Sequence, residues 1–557
     1  MSARGLNLLV FRDGRRRVSG AELRSALMAH LKRLSDAAPA YLKTGALLRA
    51  GELECGVADA TEGCSSPFAG LTDVLAEAFL SGRLSSNFQN TKEAVAAAPM
   101  PEALTVSTPE GFAYYALQPI AYSIVLDKLP ALTKRVIVIG IRSIGTTLSA
   151  VTAAAVRLRG LQACRFTVRP GGHPYNRRTE FSVGQRQIIQ SGISGAAGFL
   201  VVDEGPGLSG SSFLSVAEVL EEAGVARERI TLLPAHEPNP EALCSTNAAQ
   251  RWRRFSCVPA AGEIRPPRAG AFVSGGEWRR RVFEDELAWP AVWSNMERVK
   301  YLCPLEGEEL RLFKFAGLGH YGDRMLEHEQ CMATAGFAPT PRREENGFVS
   351  YPWLNGRAMV ASDLSHKVIL RLAEYCAFRA KVLSIFAVDL CSLQEMAEHN
   401  LAELGFALRV SLRLERPVIA DGRMQPHEWI MSSTGEILKT DSGSHGDDHF
   451  YPGPTDIAWD LAGAIVEWRM NAAQAEEFLG LYRRLSGDDP SARINDFIRA
   501  YAVFRCAYCK MAANAMQGTA EQARLEQAAA DYAGLLRANL EVARQNTTQS
   551  VPAALAL

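Results

Sequence analysis

FLVVDEGPGLSGSSFL, residues 199–214, decides how the first half of the chain is read. Four apolar residues, Phe199 to Val202, lead into two acids, Asp203 and Glu204. Small residues follow from Gly205 to Ser212, and then the amphipathic run VAEVLEEAG. Strand, acid pair, small-residue loop and helix, in that order, is the layout of a phosphate cradle. Glycines such as Gly207 and Gly210 let the loop backbone close on an anion. The opening turn of the helix offers unpaired N–H groups and a favourable dipole. The hydroxyls of Ser209, Ser211 and Ser212 add donors. The acids would repel a phosphate and suit sugar hydroxyls or a metal beside it. A sugar phosphate fits this division: the loop takes the phosphate and the acids take the ribose diol.

The stretch resembles the phosphoribosyl pyrophosphate (PRPP) motif of type I phosphoribosyltransferases. It departs in length, with five residues between Glu204 and Gly210 where the family has four. Two upstream segments resemble the same family in the same order. In RVIVIGIRSIGTTLSAVTAAAVRLRG a buried strand, Val136 to Ile141, is followed by a polar loop and an alanine-rich helix. Arg142, Ser143, Gly145, Thr146 and Thr147 stand where the family's loop holds pyrophosphate. An arginine fork suits a diphosphate because it binds two oxygens at once. In CRFTVRPGGHPYNRRTEFS, Arg169 and Arg177, with His173 and Arg178, stand in a glycine-hinged basic loop like the one that closes on pyrophosphate. The resemblance implies displacement at the ribose anomeric carbon with PRPP as substrate and Mg²⁺ as cofactor. Asp203, Glu204 and Arg142 would be catalytic. RITLLPAHEP adds a strand ending near His236, which faces the acceptor or is structural.

At 557 residues the chain is too long for one core, and two to four domains are expected. Hydrophobic content of 47% and charged content of 22% match a soluble globular protein. A formal net charge of −1 gives no field favouring nucleic acid or an anionic membrane surface. The N-terminal stretch lacks a signal-peptide pattern, and no apolar run is long enough to span a bilayer. The eleven cysteines are scattered except Cys506 and Cys509, which fall in a helical pattern without zinc-site partners. A reduced, cytoplasmic protein is the expectation. Residues 1–110 are mainly helical and serve as a hood, a dimerisation segment or a partner surface. A homodimer therefore stays open. Residues 111–245 form the transferase-like unit, 246–290 an Arg/Pro-rich linker, and 546–557 a tail.

Residues 291–545 follow a different pattern. LRLFKFAGLGHYGDRMLEHEQ places Lys314 in an apolar strand and Glu327 and Glu329 in the next helix. A strand lysine paired with a helix glutamate positions nucleotide phosphates in kinase folds. Gly317, Gly319 and Gly322 also spell G-x-G-x-x-G, a dinucleotide motif, but no βαβ unit with a following acid supports it. GFVSYPWLNGRA and the long run from Val418 to Trp468 resemble the hinge, catalytic and metal-binding segments of aminoglycoside phosphotransferases and related small-molecule kinases. The resemblance implies ATP and Mg²⁺ as cofactors, Asp421 as catalytic acid and Asp441 as a magnesium ligand. Asp456 or Asp460 would be structural. The family places an asparagine five residues after the catalytic aspartate; here that position is Pro426, with His427 next, so His427 becomes a candidate metal ligand. His445, Asp447, Asp448 and His449 form a polar cluster beyond Asp441 that is second to the metal or simply solvated.

The fold expected is α/β plus α+β: a parallel-sheet phosphoribosyltransferase-like domain followed by a bilobal protein-kinase-like domain, with a helical N-terminal segment. The function expected is a bifunctional small-molecule enzyme. One domain would transfer or cleave a phosphoribosyl group, and the other would phosphorylate a small-molecule hydroxyl from ATP. The alternative is a nucleotide-sensing regulator with a non-catalytic transferase fold and a pseudokinase. In a third version the protein is a single kinase and the first domain only supplies substrate binding.

Overall fold

A computed structural model describes residues 7–61, 66–129, 132–260, 262, 266, 268–305, 309–386, 388–443, 446 and 448–549. The expected metal-adjacent residues His445 and Asp447, and the end of the tail, lie outside them.

The acid-pair strand Gly198–Val202 sits at the centre of a five-stranded parallel sheet. Across the sheet the strands run Gln162–Val168, Arg135–Ile141, Gly198–Val202, Ile230–Leu233 and Ser256–Cys257. In chain order this is 2-1-3-4-5. The order reverses between Arg135–Ile141 and Gly198–Val202, which pair from Val136↔Gly198 to Gly140↔Val202. A crevice opens at such a reversal, outside the carboxyl ends of the strands. Both central strands are continuous apolar runs because helices cover both faces. Ser256–Cys257 carries the sheet past residue 245, so part of the expected linker belongs to this unit.

Residues 15–107 build the hood. Four helices (Gly20–Leu31, Ala40–Ala60, Ser66–Ser81 and Phe88–Ala97) pack beside an antiparallel pair, Arg15–Ser19 with Ala103–Ser107. The hood is not a separate body. Its Leu47, Leu53 and Val106 share one core with Val136 and Leu148 of the parallel sheet unit and with Phe313 and Phe348 of the next unit.

That next unit has two lobes. The first is a five-stranded sheet in the order Ala271–Phe272, Lys300–Pro304, Leu310–Phe315, Phe348–Pro352 and Arg342–Arg343, with helix His320–Thr334 against it. Ala271–Phe272 pairs with Leu302 and Tyr301, so the expected linker supplies an edge strand here too. The second lobe is helical and carries the three-stranded sheet Gly356–Ala358, Trp429–Ser432 and Ile437–Lys439. Cys506 and Cys509 are buried in its helix Ile494–Ala515, as their periodicity implies. Among the described residues no helix is long and apolar enough to cross a membrane.

The G-x-G-x-x-G stretch is a packing motif. A Cβ on Gly319 would lie 3.0 Å from Gly45 Cα of the hood, and one on Gly322 would lie 2.2 Å from the Gly317 carbonyl oxygen. These glycines let helix His320–Thr334 dock on the hood. The start of the chain is stitched to the far lobe. Leu8 and Val10 enter the helical core, the Asn400 side chain accepts from the Leu9 amide at 2.8 Å, and the Arg12 amide donates to His449.

Asp456 anchors the helical lobe. Its carboxylate accepts the amides of Glu415, Arg416 and Ala458 and the Arg493 guanidinium, the last at 3.0 Å. Arg493 also reaches Asp488 and Glu415. Arg493→Ala would leave Asp456 buried without its cation, so the expected cost is about 3–5 kcal/mol. It would be read as a lower urea midpoint followed by tryptophan fluorescence.

Candidate functional site

Two candidate sites stand on this frame. The first is the crevice at the strand reversal. The loop after Arg135–Ile141 meets the acid pair directly: a Cβ on Gly145 would lie 2.7 Å from the Val202 carbonyl oxygen and 3.3 Å from Asp203 Oδ1. Ser143, in this loop, holds φ 104°, a conformation rare for a residue with a side chain. Such outliers persist where the surroundings over-determine them, and they cluster at functional sites. Glu204 is fixed by the Gly111 amide at 3.1 Å. The Tyr122 hydroxyl donates to the Asp203 carbonyl at 2.6 Å. Burial pushes the Asp203 carboxyl up to about 7. Burial, then the Asp203 charge, pushes Glu204 up to about 8. Two acids whose protons are shared out near neutrality suit a site completed by a cation or a hydroxyl-bearing ligand.

The native state thus keeps protons that the unfolded chain releases near pH 4. The sign follows from linkage: stability falls with rising pH wherever the folded state binds more protons. The ligand-free protein should therefore lose thermal stability from about pH 4 upward through 7 to 8 and then level off. Asp203→Asn/Glu204→Gln should flatten that slope in melting curves taken across the range.

Several expected contacts fall elsewhere. Arg142 and Arg169 both bind Asp59 of the hood, at 3.0 and 3.2 Å, so their guanidinium groups start from a carboxylate rather than free. Thr146 and Thr147 are buried in the first turn of helix Ile144–Leu158, and Thr147 packs against Gly51, which removes them from a diphosphate's reach. The basic loop is a short hairpin, Gly171–His173 with Asn176–Arg178, folded down on the small-residue loop. Its Pro174 carbonyl takes the hydroxyls of Ser209 at 2.9 Å and Ser211 at 2.6 Å, and Arg177 donates to Gly172 at 2.8 Å. Gly207 and Gly210 hold φ 57° and 65°, so the loop needs glycine at both, and Ser212 follows in the first helical turn. His236 is exposed beyond the strand Ile230–Leu233.

The second site is the cleft between the two lobes, a cavity of about 180 Å³. Lys314 and Asp441 meet across it in a direct ion pair. Burial pulls the Lys314 ammonium's pKa down, and Glu329, next in weight, pulls it back. Glu329 is buried and accepts from the Ser442 hydroxyl at 3.0 Å and the Gly443 amide at 3.2 Å, so the helix glutamate holds the segment after Asp441. Glu327 is exposed on the opposite face of the helix and takes no part, because two residues along a helix reverse the side. Tyr351, Trp353, Leu354 and Ile430 give the cleft apolar walls suited to a planar base.

Asp421 does not face this cleft. It is buried, bonded to the Tyr375 hydroxyl, with Lys439 at 3.6 Å and Arg379 at 4.0 Å. Asp460 accepts the Asp421 and Gly422 amides at 2.8 and 2.9 Å and fixes the loop, the structural part expected of Asp456 or Asp460. The acid therefore organises the loop from inside. Gln425 and Glu428, on either side of Pro426 and His427, line the cleft. Gln425 is 5% exposed and its Oε1 has no hydrogen-bond partner among the described residues. Glu428 pairs with Lys439 at 2.6 Å. His427 lines the same cleft, stacked on Trp278 at 5.8 Å, and burial pushes its pKa down to about 3, which keeps the ring neutral. Hard oxygen donors from Asp441, Gln425 and Glu428 fit Mg²⁺. Among the described residues no group of three or more His, Cys, Asp or Glu is gathered closely enough to hold a metal by itself. A cation here would lean on nucleotide phosphates, as Mg²⁺ does in kinase sites.

No family model matches the sequence, and no curated protein matches it. Solved structures do. A choline kinase from Streptococcus pneumoniae is 14% identical over 42% of this chain and 90% of its own, with a TM-score of 0.28. An ethanolamine kinase from Plasmodium vivax is 9% identical over 43% of this chain and 80% of its own, with a TM-score of 0.30. An aminoglycoside phosphotransferase from Alicyclobacillus acidocaldarius is 11% identical over 45% of this chain and 90% of its own, with a TM-score of 0.29.

Proposed function

We propose that the chain is an ATP-dependent small-molecule phosphotransferase joined to an α/β unit that binds PRPP or another ribosyl phosphate. The observation that carries the first half is the Lys314–Asp441 pair in the cleft between the two lobes. Lys314 would bind nucleotide phosphates, with Glu329 holding the segment beside it. Asp441, Gln425 and Glu428 would hold Mg²⁺, with neutral His427 at the rim. A bound Mg²⁺ supplies charge neutralisation on the transferring phosphoryl group. The buried Asp421 keeps the loop in shape and takes no proton from the acceptor. Phosphoryl transfer asks mainly for positioning and electrostatics, so a site without a cleft-facing base is chemically adequate.

The second half rests on the acid pair meeting Gly145 at the strand reversal. Asp203 and Glu204 would take the ribose diol, and the Gly205–Ser212 backbone the phosphate. The Pro174 carbonyl would give up the Ser209 and Ser211 hydroxyls as the ligand enters. Arg142 and Arg169 would turn from Asp59 to the diphosphate of bound PRPP.

Burial of Asp421 favours one other reading, a nucleotide-sensing regulator that binds ATP without turning it over. The two separate on ATP consumption by the full chain in the presence of small hydroxyl acceptors, with Asp441→Asn as control. Turnover that depends on Asp441 supports the phosphotransferase; saturable binding with no turnover supports the sensor.

A further inference from the structure

The charged side chains that line the inter-lobe cleft pair off, with one exception among the described residues. Glu297 takes Lys300 at 2.7 Å, Asp441 takes Lys314, and Glu428 takes Lys439 at 2.6 Å. Arg505 reaches Glu467 at 3.5 Å. Arg423 lines the same cleft and is half-buried, and its guanidinium has neither a hydrogen bond nor an ion pair among the described residues. Only its backbone amide is engaged, donating to Asp421 at 3.1 Å. Asp448 lies close enough to feel Arg423, but it stands outside the cleft's lining. It is bound to the His449 ring and feels Arg298 more strongly.

Arg423 stands two residues beyond the inward-turned Asp421 on the same loop. Arg423 and Glu428, five residues apart, both line the cleft, whereas Asp421 and Pro426 at the same interval do not. The loop thus meets the cleft with a cation where the sequence pattern leads one to expect an acid. A guanidinium keeps its proton in proteins, so Arg423 cannot take one from an acceptor. What it offers is a fixed charge and a fork for two oxygens. Around it, residues 278–297 and the helical lobe build an aromatic wall. Trp278 stacks on His427 at 5.8 Å, and Trp293 meets Tyr508 edge-on at 5.3 Å. The charge of Arg423 acts on both His427 and Tyr508, which places it at this aromatic end. The His427 ring is neutral, held so by burial first and then by the cations around it, and cancels none of the charge. One convergent charge on apolar walls orients a ligand by that charge. A cationic ligand would meet Arg423 as a like charge, which costs affinity.

We propose that this end of the cleft is the acceptor subsite, and that Arg423 selects acceptors carrying an anionic group, a carboxylate or a phosphate, beside an apolar body. The name acceptor rests on the phosphotransferase reading above. The preference for an anion rests on Arg423 itself.

The test is calorimetric titration of four probes that share one planar body and one primary hydroxyl into the full chain with Mg²⁺–ADP present. They are para-hydroxymethylbenzoate, its amide, the corresponding benzylamine and para-hydroxymethylphenyl phosphate. The benzoate should bind about tenfold more tightly than the amide, and the benzylamine most weakly. Arg423→Gln should cost the benzoate about tenfold and leave the amide and Mg²⁺–ATP within about twofold. Its guanidinium has no partner to strand, so the variant should fold; Arg423→Lys, which keeps the charge, should retain the order of the probes. Asp203→Asn/Glu204→Gln should change none of these values by more than about twofold. Tighter binding of the phosphate probe, lost in Arg423→Gln, identifies a phosphorylated acceptor, and tighter binding of the benzoate a carboxylic acid. Equal binding of benzoate and amide, binding of neither anionic probe at millimolar concentration, or an anion preference that survives Arg423→Gln overturns the proposal. So does a loss of Mg²⁺–ATP binding in Arg423→Gln, which would give the arginine to the nucleotide. An Arg423-dependent preference without ATP turnover would keep the anion site and sink the phosphotransferase reading; turnover without a preference would do the reverse.

Discussion

Asp441→Asn should lower ATP turnover by roughly 10²–10³-fold, with little change in melting temperature. Asparagine keeps the shape of the side chain and removes its charge. That charge meets the Lys314 ammonium directly, and under the proposed function it would hold Mg²⁺. Asp441 also holds φ 60°, which asparagine tolerates, so the backbone should survive the change. The loss should fall mainly on kcat, because the cleft's apolar walls would still hold the base. Asp421→Asn should behave differently. It leaves the Tyr375 hydroxyl, Arg379 and Lys439 buried around a neutral group, so it should destabilise the fold by about 3–5 kcal/mol. Any fall in turnover should track the unfolded fraction. A stable Asp421→Asn protein without activity would restore the role of catalytic base to that residue.

Asp203→Asn/Glu204→Gln should weaken Mg²⁺–PRPP binding by roughly 10²-fold or more, measured by calorimetry. Each hydrogen bond from a ribose hydroxyl to a buried carboxylate is worth about 1.5–3 kcal/mol, and two are removed. The neutral side chains relieve the burial cost that raises both carboxyls, so the same variant should be more stable above pH 7 than the wild type. Weaker binding together with greater stability is the signature of a site. A structural acid pair would lose stability on removal.

The sequence made the supports of both sites legible, and left their contacts dark. The run Phe199–Val202 had to be a buried strand, the loop after it had to turn on Gly207 and Gly210, and WIMSSTGEILK had to be a hairpin leading to Asp441. All three are local patterns, with periods and turn residues that a single segment carries. The pairing of Arg142 and Arg169 with Asp59 is a contact across more than eighty residues. Nothing near Asp59 marks it. Asp421 stands where the family resemblance places a catalytic acid, while its direction is set by Tyr375 and Arg379 from helix His366–Val382 and by Lys439 from strand Ile437–Lys439. Glu327 and Glu329 could have been separated by helical phase alone. Gln425 and Glu428 carried a weak signal, two oxygen donors flanking Pro426 where the family's asparagine is missing. The linker disappeared because short strands, Ser256–Cys257 and Ala271–Phe272, complete sheets whose other members lie far along the chain.

The central claim is that the inter-lobe cleft binds Mg²⁺–ATP on Lys314 and Asp441. It is tested most directly by calorimetric titration of Mg²⁺–ATP into the full chain and into Lys314→Ala. The expected result is one saturable site in the wild type, weakened about tenfold or more in the variant and dependent on Mg²⁺. No binding in the wild type, or equal binding in a folded Lys314→Ala protein, would contradict it.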